Sequence, residues 1–107
     1  MVIDNGNGTS VQLIGTIDNA MSNEIFRQLN AYRASKGLPQ LKQANSQLQD
    51  AVNLRSAECA VKFSHERPNG QNCFSVYSGS CAENIIYGTS LNASQAMDAW
   101  KKSSGHN

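Results

Sequence analysis

Phe63-Ser64-His65-Glu66-Arg67-Pro68-Asn69-Gly70 stands where a helical run of small residues gives out, and what flanks it decides the fold. Upstream, Ser46-Gln47-Leu48-Gln49 opens a helix, with Ser46 and Gln49 at the spacing of a capping box. Leu48, Val52, Cys59 and Phe63 carry that helix forward. Downstream, residues 64–82 are rich in Ser, Gly, Asn and Pro and read as a long connection. Further out, Met21, Ile25, Leu29 and Tyr32 recur at steps of four, four and three, one apolar stripe of an earlier helix. Ser22 or Asp18 caps its start, and Gly37 followed by Pro39 stops it. A third helix starts near Asn92, with Gln95 three residues on, turns Ala93, Ala96, Met97 and Trp100 inward, and ends at Gly105. Strand signals are sparse: Val11 to Ile17, and Glu83 to Tyr87 within the run Ala82–Gly88. Met97, Trp100, Phe63 and Tyr32 are expected in the core, since such residues at helical spacing usually pack.

The chain has 107 residues, enough for one domain. Nine Lys+Arg against eight Asp+Glu give a formal charge of +1. That balance offers no electrostatic reason for a nucleic acid or an anionic membrane as partner. Asn, Gln and Ser make up 33 residues, so the surface is solvated by amides and hydroxyls more than by ions, which suits an extracellular protein. No stretch approaches the roughly 20 apolar residues of a membrane-spanning helix. The opening Met1-Val2-Ile3-Asp4-Asn5-Gly6 lacks the basic and apolar regions of a secretory signal. The protein is therefore either cytosolic or secreted with its signal outside this chain. Asp4-Asn5-Gly6-Asn7-Gly8-Thr9 is a turn cluster without the acidic ladder of a calcium loop. Residues 1–20 accordingly read as an N-terminal extension or linker with a short strand.

Three cysteines, Cys59, Cys73 and Cys81, allow three single pairings, each leaving one thiol over. Cys59 reads as a buried free thiol, and Cys73 and Cys81 flank a Ser/Gly-rich loop that a local disulfide could close. His65 lies just beyond the second helix, His106 just beyond the third, and Glu83 heads the last apolar run. Taken singly, a histidine after a helix is a favourable charge against its C-terminus, and Glu83 is an exposed strand-edge carboxylate. Their separations along the chain do not by themselves bring them together.

Five segments, in order, resemble the CAP superfamily. This superfamily, also called SCP-like, includes cysteine-rich secretory proteins, venom antigen 5 and plant pathogenesis-related proteins; the likeness here is to its bacterial extracellular members. Leu29-Asn30-Ala31-Tyr32-Arg33-Ala34-Ser35-Lys36-Gly37-Leu38-Pro39 resembles the first family helix, and Ala57-Glu58-Cys59-Ala60 the end of the second. Phe63 to Gly70 is similar to the FSHxRPxG segment, Ala82-Glu83-Asn84-Ile85 to the GENI segment, and Trp100 to His106 to W-x-x-S-x-G-H. The likeness covers about residues 21–107. It implies an α+β fold, a CAP-type α-β-α sandwich, here truncated, with three main helices and few short strands. The family's GH motif leads into two further strands, whereas this chain stops one residue after His106. The expectation is a partial domain whose exposed sheet edge invites self-association.

The resemblance also implies a cleft of two histidines and two acids. His65 matches the first histidine, Glu83 the first acid and His106 the second histidine; Ser103 stands where the second acid would be. Two imidazoles and one carboxylate suffice for a divalent metal such as zinc with a water in the open position. The expected function is a secreted, non-enzymatic binding module, holding a metal or a small or lipid ligand; loss of the second acid favours this and a structural role over catalysis. The alternatives are a metal-dependent, peptidase-like hydrolase with Glu83 as base, and a structural cell-surface domain with a vestigial cleft. No serine or cysteine nucleophile stands in a recognisable catalytic motif.

Overall fold

In the computed structural model, which describes residues 1–79 and 81–107, the order is β1 (Val2–Asp4), β2 (Ser10–Gln12), α1 (Asn19–Ser35), α2 (Ser46–Val61), a 3-10 turn (Cys73–Val76) and α3 (Ala93–Lys102). Among the described residues, three helices with one two-stranded antiparallel sheet make an α+β chain, as expected. The elements gather into two units: residues 1–16 with 44–85, and residues 17–43 with 86–107.

In the first unit, β1 and β2 pair with Val2 opposite Gln12, Ile3 opposite Val11 and Asp4 opposite Ser10. The turn cluster between them is held by local bonds. The Gly6 amide donates to Asp4 Oδ1 (2.8 Å), the Asn5 amide to the Thr9 carbonyl (3.0 Å), and the Thr9 hydroxyl to Asn7 Oδ1. Those bonds use Asp4 and Asn7 as turn formers, and Gly6, at φ 78°, supplies the left-handed conformation the turn requires. The hairpin packs through β1 on α2 and buries Ile3. The strand expected over Val11 to Ile17 is shorter than its pattern: the ladder closes with the two bonds between Leu13 and Met1 (2.8 and 2.9 Å), and Ile14 is 91% exposed.

Helix α2 begins one residue earlier than the capping-box reading, with Asn45 as cap accepting from the Leu48 amide (2.8 Å). Its buried face is also different. Ala51, Arg55 and Glu58 point inward together with Ala57, whereas Val52 is exposed. Lys62 turns to extended backbone, so helical periodicity no longer sets the direction of Phe63. Phe63 is 44% exposed, not in the core as expected. Among the described residues, 83–87 belongs to no strand, so the expected strand there is irregular backbone: an apolar run becomes a strand only within a ladder. Cys59, Cys73 and Cys81 are all free thiols, so the suggested Cys73–Cys81 disulfide is not formed.

In the second unit, α1 packs against α3. Asp18 caps α1 by accepting from the Met21 amide (2.9 Å), and Gly37 ends it in the left-handed conformation at φ 73°. The Leu38 amide reaches the Arg33 carbonyl and the Gly37 amide the Ala34 carbonyl, the paired bonds of a Schellman cap. The buried Asn30 side chain then clamps Leu41 from both sides, donating to its carbonyl (3.1 Å) and accepting from its amide (2.7 Å). Helix α3 carries the capping box of Asn92 and Gln95 and buries Ala93, Ala96 and Met97. It stops at Lys102, three residues before Gly105. Trp100 and Tyr32 are half-buried, and Lys101 Nζ sits 4.7 Å from the centre of the Tyr32 ring.

Candidate functional site

Arg55 organises the chemistry of the first unit. Its guanidinium grips the Glu83 carboxylate side-on, Nε to Oε2 at 2.9 Å and Nη2 to Oε1 at 3.0 Å. The same group donates through Nη1 to Glu58 Oε1 (3.0 Å) and through Nη2 to the Ser64 carbonyl (2.7 Å). Glu58 is shared: Arg67 Nε lies 3.1 and 3.0 Å from its two oxygens. The result is a row Glu83–Arg55–Glu58–Arg67, with two positive and two negative charges. Side-chain exposures of 6% for Arg55, 3% for Glu58 and 14% for Glu83 place it out of bulk water, where paired, hydrogen-bonded charges are tolerated and unpaired ones are not.

The segment after α2 folds back on itself to complete the site. Glu66 and Asn72 form an isolated antiparallel bridge, the Arg67 amide donates to the Gln71 carbonyl (2.9 Å), and the Cys73 amide donates to the His65 carbonyl (3.1 Å). Asn69 Oδ1 accepts from the Gln71 amide within the turn (3.0 Å). Residues 65 and 73 are thereby set side by side. Arg67 holds the far side of the turn by donating to Ser75 Oγ (2.9 Å).

His65 and Glu83, both expected in the site, meet: Nδ1 of His65 is 2.8 Å from Glu83 Oε1. His65 remains 58% exposed while the carboxylate is largely covered. The buried thiol of Cys73 joins them, and one donor atom from each of His65, Cys73 and Glu83 lies within 4.8 Å of the other two. His106 and Ser103 belong to the second unit, where His106 Nδ1 is 2.8 Å from Ser103 Oγ. Ser103 thus takes an imidazole as its partner where the family pattern has an acid. Arg55, Glu58, Arg67 and Cys73 were not singled out as site residues in the sequence. The one signal for the first two was their position at i+4 and i+7 from Ala51, on a helix poor in large apolar side chains.

Two opposing effects set the state of Glu83. Burial pushes its carboxyl upward, and hydrogen bonds from Arg55 and His65 outweigh that and hold it below the ordinary value. The Glu83 hydrogen bond in turn raises Arg55, against desolvation. Burial pushes up the Cys73 and Cys59 thiols. Because Glu83 titrates lower folded than unfolded, its contribution to stability is complete above the unfolded value of about 4.3 and fades as pH falls through the lower folded value. A Glu83→Gln chain is therefore expected to show a shallower loss of denaturation midpoint between pH 5 and pH 2 than the parent, with the two profiles parallel above about pH 5. Parallel profiles throughout the acid range would show that Glu83 gains nothing from its partners. Glu24, lowered to about 2 by Arg27 and Gln28, titrates in the same range in both chains, so only the difference reports Glu83.

A carboxylate fixed by arginine and facing an imidazole can hold one imidazole proton at Nδ1 and leave Nε2 as an outward lone pair. It is a good acceptor and orienting group. It is a weak general base, because a base that works near neutral pH needs a carboxyl raised toward that pH. Among the described residues, no helix is long and apolar enough to cross a membrane. Neither the curated proteins nor the solved structures contain a match to this chain. A family model described as CAP, the cysteine-rich secretory protein family, matches residues 26–107. The match takes in α2, the His65 turn, Glu83 and His106, well over half of the chain, and the protein therefore belongs to the CAP (cysteine-rich secretory protein) family.

Proposed function

We propose that this CAP-family chain is a secreted, non-enzymatic binding module whose site is centred on His65 and Glu83. The observation that supports this most is the side-on grip of Arg55 on Glu83. It keeps the carboxylate ionised and fixed in orientation, which serves binding and opposes proton shuttling. Secretion follows the common habit of the family and the amide- and hydroxyl-rich composition.

The donor set fits a divalent metal: an ionised carboxylate beside an accessible imidazole, 2.8 Å apart, of the kinds zinc takes. Such an ion would supply Lewis acidity to a bound water or ligand oxygen. His65 and Glu83 would hold it. A small or lipid ligand is the other occupant of this reading, with His65 presenting one ring nitrogen to it. Glu83 orients the ring, and Arg55 keeps Glu83 from turning away.

The discriminating experiment pairs calorimetric titration of the metal-free chain with zinc chloride and a hydrolysis assay on denatured casein and short peptides in the presence of zinc. Expected are saturable zinc binding, weakened about tenfold or more in His65→Ala, and no turnover above the metal blank. Casein cleavage that disappears in Glu83→Gln would overturn the binding-module reading and establish the hydrolase.

A further inference from the structure

We propose that Cys73 is a third, anionic ligand of the metal, so that the site is a His65–Cys73–Glu83 zinc centre contained within the first unit. This rests on the metal form of the reading above and goes beyond it by adding a thiolate that the expected ligand set lacks.

Three observations converge on Cys73. One donor atom from each of the three residues lies within 4.8 Å of the others. Zinc bonds of about 2.0–2.1 Å to nitrogen or oxygen and about 2.3 Å to sulfur set such atoms roughly 3.3–3.8 Å apart around one tetrahedral ion. Gathering them around one ion takes adjustments of about 1.5 Å at most. Second, the backbone has already fixed the pairing, because the Cys73 amide bonds the His65 carbonyl and the 66–72 bridge holds the turn closed. Third, the charge favours it. Arg55 neutralises Glu83, so His65 with Glu83 alone offers a dication no net negative charge. The Cys73 thiolate supplies that charge from a position shielded from solvent.

The ion takes the place between Nδ1 and Oε1 that a proton occupies in the metal-free pair. Glu83 is already ionised. His65 stays neutral, with its single ring proton on Nε2. The Cys73 thiol gives its proton to solvent, one per ion bound. Arg55 keeps its bond to Oε2 and becomes the group that orients the carboxylate. A water or a ligand atom completes the tetrahedron.

The test uses the full chain, reduced and metal-free, titrated with cobalt(II) and followed by absorption, then displaced with zinc. A cobalt–thiolate bond gives a sulfur-to-metal charge-transfer band in the near ultraviolet that imidazole and carboxylate ligands do not give. Expected is that band at one equivalent, its persistence in Cys59→Ser and in Cys81→Ser, and its loss in Cys73→Ser. Zinc affinity should drop in Cys73→Ser by more than the roughly 10–100-fold that loss of an outer-shell partner costs. Persistence of the band in both other variants assigns it to Cys73 even where Cys73→Ser folds poorly. Cobalt bound without the band, or a band abolished by Cys59→Ser or Cys81→Ser, overturns the thiolate assignment and leaves the His65–Glu83 metal reading standing. No uptake of cobalt or zinc overturns both.

Discussion

Arg55→Ala is expected to lower the stability of the folded chain by about 3–5 kcal/mol, the range for removing one partner from a buried, hydrogen-bonded charge network. The loss comes from what is left behind. Glu83 would be left to His65, and Glu58 to Arg67, as charged partners, in surroundings where the side chains are 14% and 3% exposed. The Ser64 carbonyl would also lose its 2.7 Å donor. Arg55→Lys keeps the charge but not the side-on pair of bonds, since an ammonium is a point donor without the planar fork. It should recover part of the loss. Because burial acts on Glu83 in the upward direction and Arg55 is the first group opposing it, the folded value in Arg55→Ala moves back toward the unfolded one, so the acid-dependent loss of stability should be shallower than in the parent and the gap between the two chains should narrow as pH falls. Chemical denaturation at pH 7, repeated down to pH 3, measures both effects. A loss under about 1 kcal/mol would mean that the row behaves as a solvated surface pair, and the role given to Arg55 would be wrong.

Gly6→Ala should be the most damaging single-methyl change in the hairpin. At φ 78° a side chain is strained, by about 1–2 kcal/mol on the left-handed penalty. Space is the second problem: a Cβ at Gly6 would lie 2.5 Å from the Asn69 carbonyl oxygen and 2.8 Å from its Cα. Those are backbone atoms of the turn that carries His65 to Cys73, so relief requires moving that turn or the hairpin, at a further cost of about 1–3 kcal/mol. Gly8→Ala is the control. It has the same sense of φ, 83°, and meets nothing within 4 Å, so it should show only the strain. The difference in denaturation midpoint between the two variants isolates the contact. Equal losses would show that the hairpin loop does not press on the Asn69 backbone.

That contact changes how the N-terminal residues are understood. Read alone, 1–20 looked like an extension, because Gly and Asn in a turn cluster carry no information about what the turn touches. Ile3 is buried, and β1 lies on α2. A similar limit applied to α2. Arg55 and Glu58 sit three residues apart, the spacing of an ordinary exposed ion pair on a helix, and nothing local distinguishes a buried pair from a solvated one. The distinction arises because Glu83 and Arg67 arrive from distant parts of the chain to saturate the remaining donors and acceptors. Cys73 stayed hidden for a related reason: its partner across the 66–72 bridge is specified by hydrogen bonds of a turn rather than by any pattern of residue types.

What the amino-acid order determined by itself is local or carried by motif. Asp18, Gly37 and the Asn92–Gln95 box marked helix ends because a cap is satisfied within four residues of itself. The ordered motifs marked the family and named His65 and Glu83 before any distance was known. What only the tertiary structure decided is which charges are buried and what each faces. Glu83 is held ionised by an arginine 28 residues earlier in the chain, and a thiol eight residues beyond His65 stands beside both. Coulomb and hydrogen-bond energies depend on separation in space and on the water excluded around the pair, and neither quantity is encoded in spacing along the chain.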